Sequence, residues 1–566
     1  MTQYNVVLIT VVIAKREKDQ EIEMAAYRLF FWILLISVWF SKIHSYNLQS
    51  ACELAEDPKS CLSSLLQDPR SLRASPKNLT KISLYRSLSK VQRVKDLIPP
   101  LGWVGRAFDA KFSSAIGHCL NFYDLAVKNL KDAQIRLSRS STDDLKWTHA
   151  VHIQTLLSAA QTDQRTCQRA LHHTNVNLSE FTFTNGMHSA SKAVGDSMAL
   201  VKKLWILNRA PIHHKRRLLS DGYDLGLVED GFPWWASRSE RRKLLQTFES
   251  SRTDATVAQD GSGDYTTVAA AINAAPVNNP HKYVIRIKRG VYRENIQVPR
   301  EKPNIMLVGD GVDATVITSS KGTGDGYGFL DTPALVVYSN GFVARDITFQ
   351  NTAGPAKEVG VALMVVSNNA AVYRCKLEGF QDTLYAHSMR QFYRECEIYG
   401  TIDFICGNAA AVFQKCNIYV RTPLQGQQNV ITAQEREIPN ENTAIVIDNC
   451  QVNQDTGVQT LSGGSVATYL GRPWGHYSRT VYMNTYLGGF IDPDGWFPWG
   501  NRDDSQTVFY GEYNNKGPGA DTSRRHKWPG FHVLTSLSSV APFSASALLQ
   551  LEDWLPSGIP ADQDAK

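Results

Sequence analysis

A short hydrophobic segment recurs at nearly constant spacing in the second half of this chain of 566 residues, and it restricts the fold more than any other feature. The three clearest copies centre on Cys375, Cys396 and Cys416, which are 21 and 20 residues apart, and looser copies begin at Phe342 and Ile445. The copies are rich in β-branched and aromatic residues and are bounded by turn residues, as short strands are. A repeat of this length predicts a solenoid, here a right-handed parallel β-helix. Leucine-rich repeats share the period, but their Leu/Asn signature is absent from these copies.

The first half of the chain has a helical pattern instead. Residues 46–207 place apolar side chains such as Phe122 and Leu130 at helical spacing and contain few Pro or Gly. Helices are predicted from Leu145 to Leu171 and from about Met187 to Leu207. The simplest arrangement of such segments is an antiparallel four-helix bundle.

The N-terminus has the pattern of a targeting segment. Residues 29–40 are almost wholly apolar, which suits the core of a signal peptide. We interpret residues 1–45 as a signal peptide, or as a signal anchor that stays in the membrane. Met24 is a more typical start, so residues 1–23 are interpreted as an extension before it.

Two basic runs lie between the helical and the β-rich parts, in a predicted linker at 208–250. Each pairs basic residues with Leu-Leu, at Arg216-Arg217 and at Arg242-Lys243. A charge run is most often solvated surface. Two such runs in one linker predict sites for a processing protease, which would release the β-helix at 251–566.

Composition excludes several classes of function. Hydrophobic residues make up 43% and charged residues 20% of the chain, so a mainly disordered protein is excluded. The net charge is only +6, and no block of basic and aromatic residues predicts nucleic-acid binding. No Cys/His cluster has zinc spacing, so no metal site is predicted.

The repeat brings two carboxylates together. Asp382 and Asp403 each lie seven residues after a repeat cysteine and are 21 residues apart, so they occupy matching positions on successive coils. Neighbouring strands lie about 4.8 Å apart. Two carboxylates this close do not ionise together easily, so one becomes an acid while the other stays anionic beside a cation. The alternative is a polar ladder that only caps turns.

A candidate cation and an aromatic platform follow in the segment Gly471-Arg-Pro-Trp-Gly. Arg472 is suited to hold one carboxylate ionised through a bidentate pair. Trp474 is suited to stack on a sugar ring. Taken alone, such a segment is more often a structural turn.

Five segments together resemble the signature blocks of plant pectin methylesterases. They are Asp260-Gly-Ser-Gly-Asp-Tyr, Asn351-Thr-Ala-Gly-Pro, Gly379-Phe-Gln-Asp-Thr-Leu-Tyr, Gly400-Thr-Ile-Asp-Phe-Ile-Cys-Gly-Asn and Leu470-Gly-Arg-Pro-Trp. The resemblance covers roughly residues 250–560. The first part is similar to the pectin methylesterase/invertase inhibitor domain, through its four paired cysteines and its helical pattern.

The resemblance implies hydrolysis of galacturonate methyl esters in pectin, without a metal or organic cofactor, by a protein secreted to the cell wall. Asp403 takes the place of the nucleophile and Asp382 that of the acid/base. Gln381 would donate a hydrogen bond to the oxyanion. Arg472 would orient Asp403, and Trp474 would line the sugar subsite. Pectin, the processing protease and a separate inhibitor protein are the expected partners.

Three positions depart from the family pattern. Val359 stands where a second active-site Gln is usual, and valine donates no side-chain hydrogen bond; the loss of one oxyanion donor costs about 10²–10³ in kcat. Gly328-Phe329 stand near the place of a substrate-contacting Thr. Cys406 replaces a usual Phe and is expected as an unpaired thiol in or near the cleft.

Two alternatives stay open, and the departures motivate the first of them. One is a catalytically weakened relative that binds pectin. The other is a β-helix glycosidase, because a carboxylate pair about 5 Å apart also suits retaining hydrolysis.

The remaining cysteines and two sequons complete the expected site residues. Cys52 is expected to pair with Cys61 in a helical hairpin, and Cys119 with Cys167 between long helices. In the β-helix we expect the pairs Cys375–Cys396 and Cys416–Cys450, although equal spacing also allows Cys396–Cys416. The sequons predict glycosylation at Asn78 and Asn177.

Overall fold

The computed structural model describes residues 48–105, 110–139, 145, 147–174, 182–207, 253–456 and 466–562. Three predicted features lie outside these residues: the targeting segment, the linker with its two processing sites, and the sequon at Asn177. Across the described ranges, every helix is too short or too polar to cross a bilayer.

The N-terminal part is the helical domain, residues 48–207. Its helices are α1 (Pro58–Leu66), α2 (Pro76–Gly105), α3 (Ala110–Arg139), α4 (Trp147–His172) and α5 (Thr182–Leu207). The four long helices α2–α5 pack together, and α3 buries Phe122 and Leu130 as their spacing predicted. Helix α5 begins at Thr182, before the expected Met187.

Two disulfides hold this domain as expected. Cys52 pairs with Cys61 at a Cα–Cα distance of 5.8 Å, and Cys119 on α3 pairs with Cys167 on α4 at 4.4 Å. The sequon residue Asn78 is exposed in the first turn of α2, which leaves its glycosylation a prediction. The Thr80 hydroxyl of the same sequon is buried and donates to the Pro76 carbonyl at 2.9 Å, so an attached glycan would have to be added before α2 packs.

The C-terminal part is a parallel β-helix of three sheets, and its strands pair in parallel from coil to coil. The first sheet has, in spatial order, β1 (Ala255–Val257), β2 (Tyr283–Ile287), β5 (Ile305–Gly309), β8 (Val343–Arg345), β11 (Ala370–Tyr373), β14 (Arg390–Arg394), β17 (Ala410–Gln414), β20 (Ala444–Asp448), β23 (Arg479–Met483), β25 (Phe509–Tyr513) and β26 (Phe531–Val533). The second has β22 (Thr468–Pro473), β19 (Asn429–Gln434), β16 (Ile402–Gly407), β13 (Leu384–Ala386), β10 (Leu363–Val365), β7 (Leu335–Val337) and β4 (Ile296–Val298). The third has β24 (Tyr486–Leu487), β21 (Gln451–Gln454), β18 (Asn417–Val420), β15 (Glu397–Gly400), β12 (Lys376–Glu378), β9 (Thr348–Asn351), β6 (Thr315–Ser319) and β3 (Gly290–Arg293). The predicted parallel β-helix is therefore confirmed.

One residue bends the chain between the first and the third sheet in each of the three repeat coils. Arg374, Glu395 and Lys415 have φ of 48°, 53° and 52°, the left-handed conformation. The residue after each of them is the repeat cysteine, which turns into the interior and stacks on the next coil. Each coil therefore has one left-handed corner, and these corners recur every 20 to 21 residues.

The expected pairs Cys375–Cys396 and Cys416–Cys450 are absent, and all four side chains are buried free thiols. The Cys396 thiol instead donates to the Arg394 carbonyl at 3.4 Å. Residues in register on parallel strands project their Cβ atoms side by side, about 4.8 Å apart. A disulfide needs Cβ atoms about 3.8 Å apart and converging. The repeat therefore brings these cysteines into register on neighbouring coils, but their parallel side chains do not have the geometry of a disulfide.

Short helices cover the end and one outer face of the solenoid. They are α6 (Val268–Ala274), α7 (Leu537–Val540) and α8 (Ala545–Leu549). Helix α6 packs on β1 at the N-terminal end, with its first amides donating to the Glu294 carboxylate at 3.0 Å. Helices α7 and α8 pack on the first sheet. The helical domain lies against the second sheet, and this contact positions the candidate site.

Candidate active site

The outer face of the second sheet carries two rows of side chains, because alternate residues of a strand point to the same side. Strand register aligns one row as Val336, Met364, Tyr385, Cys406, Ala433 and Arg472. Two residues further along each strand, the second row is Tyr338, Val366, His387, Asn408, Glu435 and Trp474. The Glu435 amide donates to the Gly407 carbonyl in the same register, whereas the Asn408 amide donates directly to the His387 carbonyl at 3.0 Å.

Asp382 and Asp403 lie at the edge of these rows, as the repeat predicted. Each occupies a left-handed turn position, with φ of 58° and 52°, and the Asp382 amide donates to the Ile402 carbonyl at 3.0 Å. Aspartate tolerates this conformation better than most residues, at some cost in strain. A register shift between Ile402 and Ile405 turns Asp403 out of the ladder. The strand periodicity is thus broken at the point where the two carboxylates meet.

A glycine makes room for this arrangement. A Cβ on Gly400 would lie 2.1 Å from the Phe404 Cβ and 2.9 Å from the Phe380 carbonyl oxygen. Both distances are too short for a side chain, so Phe404 folds back here, and the preceding coil approaches at Phe380, only because residue 400 has none.

Arg472 holds Asp403 in a fork. Its Nε donates to Oδ1 at 2.8 Å and to Oδ2 at 3.1 Å, and its Nη2 donates to Oδ2 at 2.5 Å. The ring of Trp499 supports the guanidinium from the other side at 4.4 Å and stacks on Trp474 with centroids 6.4 Å apart. A guanidinium between a carboxylate and an aromatic face is fixed in position and direction. No sequence motif had pointed to Trp499 as part of the site.

The two carboxylates have different electrostatic surroundings. Burial raises the pKa of Asp382 well above its usual range, and the charge of Asp403 raises it further. Burial also raises the pKa of Asp403, but the charge and hydrogen bonds of Arg472 oppose that rise. Of the two, Asp382 therefore holds a proton more readily, and Arg472 favours the anionic form of Asp403.

The predicted oxyanion and sugar-contacting residues surround the pair. Gln381 is partly exposed and forms a parallel bridge with Val359, the position where a second donor was expected. Phe329 packs near Tyr385, with ring centroids 6.3 Å apart, and Trp474 packs on the other side of Tyr385 at 5.8 Å. The departures from the family pattern thus lie in the cleft.

Cys406 lies in the first row, 3% exposed. Burial and the charges of Asp382, Asp403 and Glu435 raise its pKa well above its usual range. Its thiol donates to the Leu384 carbonyl at 3.5 Å. Cys406 is therefore an unpaired thiol of the cleft, as expected, and it is protonated.

Helix α4 of the helical domain lies along the second row. The Thr166 hydroxyl is 2.8 Å from Nε2 of His387, and Nδ2 of Asn408 donates to the Thr162 hydroxyl at 2.9 Å. The guanidinium of Arg169 lies 4.3 Å from the centroid of the Trp474 ring. The helical domain therefore covers Trp474, the residue predicted to contact a sugar.

Four charged side chains join the two parts, and all but Arg169 are buried. Arg165 donates to Glu441 at 2.8 Å and lies 3.7 Å from Glu435, and Arg169 also pairs with Glu435. The side chains of Glu435 and Glu441 are fully buried. Burial raises the pKa of Glu435, and the two arginines oppose that rise. Sequence reasoning missed this cluster, because no spacing relates a helix to a coil of another domain.

A second contact closes the other end of the cleft. On helix α3, Ser114 Oγ donates to both oxygens of Asp331 at 2.9 Å, and His118 Nε2 lies 2.8 Å from Oδ1 of the same carboxylate. Phe122 stacks on His387 with centroids 5.1 Å apart. Within the described ranges, no three His, Cys, Asp or Glu side chains are grouped as metal ligands.

Two family profiles match this chain. The one described as Pectinesterase matches residues 254–552, and the one described as Plant invertase/pectin methylesterase inhibitor matches residues 47–200.

Relatives and a solved structure cover the same parts. "Probable pectinesterase/pectinesterase inhibitor 32" of Arabidopsis thaliana is 42% identical over 80% of this chain and 85% of its own length. "Pectinesterase 1" of Citrus sinensis is 38% identical over 91% of this chain and 88% of its own. The structure "Pectin methylesterase from Carrot" is 47% identical, with a TM-score of 0.55, and covers 56% of this chain and 99% of the carrot chain.

Proposed function

We propose, from the premise that this chain belongs to the pectinesterase family, that it hydrolyses methyl esters of galacturonate units in pectin through Asp403 and Asp382. The proposal rests on the different surroundings of the two carboxylates, Asp403 and Asp382. One carboxylate is held by a guanidinium, and the pKa of the other is raised well above its usual range. An anionic nucleophile with a protonated acid near it is what ester hydrolysis through an acyl-enzyme needs.

The reaction divides into two balanced steps. In the first, an Asp403 oxygen bonds to the ester carbonyl carbon, the bond from that carbon to the methoxy oxygen breaks, and Asp382 gives its proton to the departing methoxy group. Methanol and an anhydride at Asp403 result. In the second, Asp382 takes a proton from water, the hydroxide oxygen bonds to the galacturonate carbonyl carbon, and Asp403 leaves as a carboxylate.

The oxyanion of each tetrahedral state needs donors. We assign this role to Gln381, which is partly exposed beside Asp382. Val359, on the neighbouring coil, offers no side-chain donor. We therefore expect kcat below that of a relative with a donor there, by about 10²–10³. This position supports the second candidate, a weakened relative that binds pectin.

Helix α4 supports a regulatory proposal for residues 48–207. Arg169 occupies the face of Trp474 and Thr166 bonds to His387, so a sugar chain and the helical domain compete for one surface. We assign the helical domain the role of a pro-region that blocks the cleft. Cleavage at Arg216-Arg217 or Arg242-Lys243 by a processing protease, in a secreted cell-wall protein, would allow it to leave.

The test is methanol release from methylated pectin. The full chain, with a specific protease site inserted in the linker, is assayed before and after cutting and removal of the helical domain. We expect release after removal, none above background for Asp403→Asn, and a gain of at least tenfold for Val359→Gln. No release from the trimmed parent or from Val359→Gln would contradict the esterase proposal. Equal release before and after cutting would contradict the blocking role.

A further inference from the structure

Glu435 lies beside the aromatic platform on the catalytic face. Arg169 reaches both side chains, since it pairs with Glu435 and lies 4.3 Å from the centroid of the Trp474 ring. The Tyr385 hydroxyl donates to Oε2 of Glu435 at 3.5 Å, and the Tyr385 ring lies 5.8 Å from the Trp474 ring. A sugar ring on Trp474 would therefore have a carboxylate at its edge.

The cations that neutralise Glu435 belong to the helical domain. Arg169 and Arg165 provide its ion pairs. On the β-helix, Arg436 follows Glu435 directly, but its guanidinium donates to the carbonyls of Glu441 at 3.0 Å and Tyr477 at 3.1 Å. When the helical domain leaves, the charge of Glu435 loses both arginines.

The cations of the β-helix near Trp474 are also engaged. Arg502 donates to the Trp474 carbonyl at 3.1 Å and to Asp504 at 2.6 Å. Arg472 lies in the first row, where Asp403 occupies its Nε and Nη2.

Glu441 accepts from Arg165 at 2.8 Å, but the Glu437 amide also donates to it at 2.8 Å and Nδ2 of Asn408 at 3.1 Å, so it keeps partners on the β-helix when that arginine departs. Glu435 is therefore the carboxylate beside Trp474 that loses its ion pairs when the helical domain leaves.

We propose that Glu435 makes the Trp474 subsite selective for a methyl-esterified galacturonate unit over a free galacturonate. This inference rests on the proposed function, because it names the form of pectin that the site prefers. A methyl ester is neutral, whereas a free unit brings a carboxylate within a few ångströms of Glu435. At that distance near a protein surface, charge repulsion is worth a factor of about ten to a hundred in affinity. The unit that the reaction leaves behind therefore binds Trp474 more weakly than the unit before reaction.

Binding, not turnover, tests this selectivity. The trimmed chain, freed of the helical domain at high salt, is titrated with fully methylated and fully de-esterified hexagalacturonide, and tryptophan fluorescence gives each Kd. The carrot structure corresponds to this part alone, which supports its folding without the helical domain. The parent is expected to bind the methylated form at least tenfold more tightly. Glu435→Gln is expected to reduce that ratio below threefold, mainly through tighter binding of the acid form.

A control variant shows whether the effect depends on a charge near Trp474 or on the net charge of the protein. Glu378 lies on β12 in the third sheet and bonds to Gln350 at 2.7 Å, so Glu378→Gln removes one charge outside the cleft and is expected to leave the ratio unchanged. The inference is overturned if the parent binds neither form, if it binds both equally, or if Glu435→Gln keeps the parental ratio. Selective binding without methanol release would contradict the esterase proposal alone. Release without selectivity would contradict this inference alone.

Discussion

Arg169→Ala is expected to let the helical domain move off the cleft in the uncut chain. The substitution removes the ion pair with the fully buried Glu435 and the contact with the Trp474 ring at 4.3 Å. Removing one partner of a buried pair costs about 3–5 kcal/mol. Arg165 still lies 3.7 Å from Glu435, so we take about 2 kcal/mol for the pair. The cation–π contact adds about 1 kcal/mol.

These terms sum to about 3 kcal/mol, or roughly a 100-fold larger open fraction. The assay is methanol release from methylated pectin by the uncut chain, compared with the cut chain as the upper limit. Lys203→Ala is the control, because Lys203 pairs with the mostly exposed Glu53 in the same helical domain. An exposed pair of this kind is worth about 0–1 kcal/mol.

The expected result is a rise in release towards the level of the cut chain for Arg169→Ala, with no rise for Lys203→Ala. Circular dichroism must show the same helical content in both variants. If folded, uncut Arg169→Ala is as silent as the parent while the cut chain is active, then the charge cluster does not hold the helical domain on the cleft.

Two further predictions concern stability. Burial raises the pKa of Asp196, in α5, to about 7. The folded state keeps this proton where the unfolded state has lost it, so the stability that it contributes is full below about pH 4 and disappears as the pH rises through 7. The parent should therefore lose on the order of 3 kcal/mol more than Asp196→Asn between pH 4.5 and 7.5, measured by unfolding of the helical domain, and an equal loss in both would refute this. Gly400→Ala should lower stability by about 1–3 kcal/mol and abolish methanol release, since its Cβ would meet Phe404 at 2.1 Å and displace Asp403; an unchanged melting temperature would contradict the close approach.

The repeat predicted the catalytic pair because both aspartates lie on coils of standard length. Asp382 and Asp403 follow their left-handed corners at the same distance, so counting residues was enough to align them. The same counting failed for the longer coils. Ala433 and Arg472 are in register with Cys406, yet they lie 27 and 66 residues after it in sequence. Spacing did not place Arg472, which was a candidate only through its own segment and the family resemblance, and Glu435 was not found at all.

Residue spacing also predicts neither the direction in which side chains project nor the position of a second domain. The cysteine ladder was placed correctly, but the parallel direction of its side chains forbids the expected bonds. The helical domain was predicted as a bundle from its own apolar period. Its position over Trp474 depends on pairs such as Arg169 with Glu435, which no periodicity connects. Contacts of this kind become visible only in the folded chain.

The most direct measurement compares methanol release by the trimmed parent, Asp382→Asn, Asp403→Asn and the double variant. Asparagine keeps the shape and tolerates the left-handed turn, so folding is expected to be preserved. If the two carboxylates act as one acid–nucleophile unit, each single variant loses at least about 10³ in kcat and the double variant loses no more than either. Losses that multiply, or a single variant that retains most of the activity, would contradict the account.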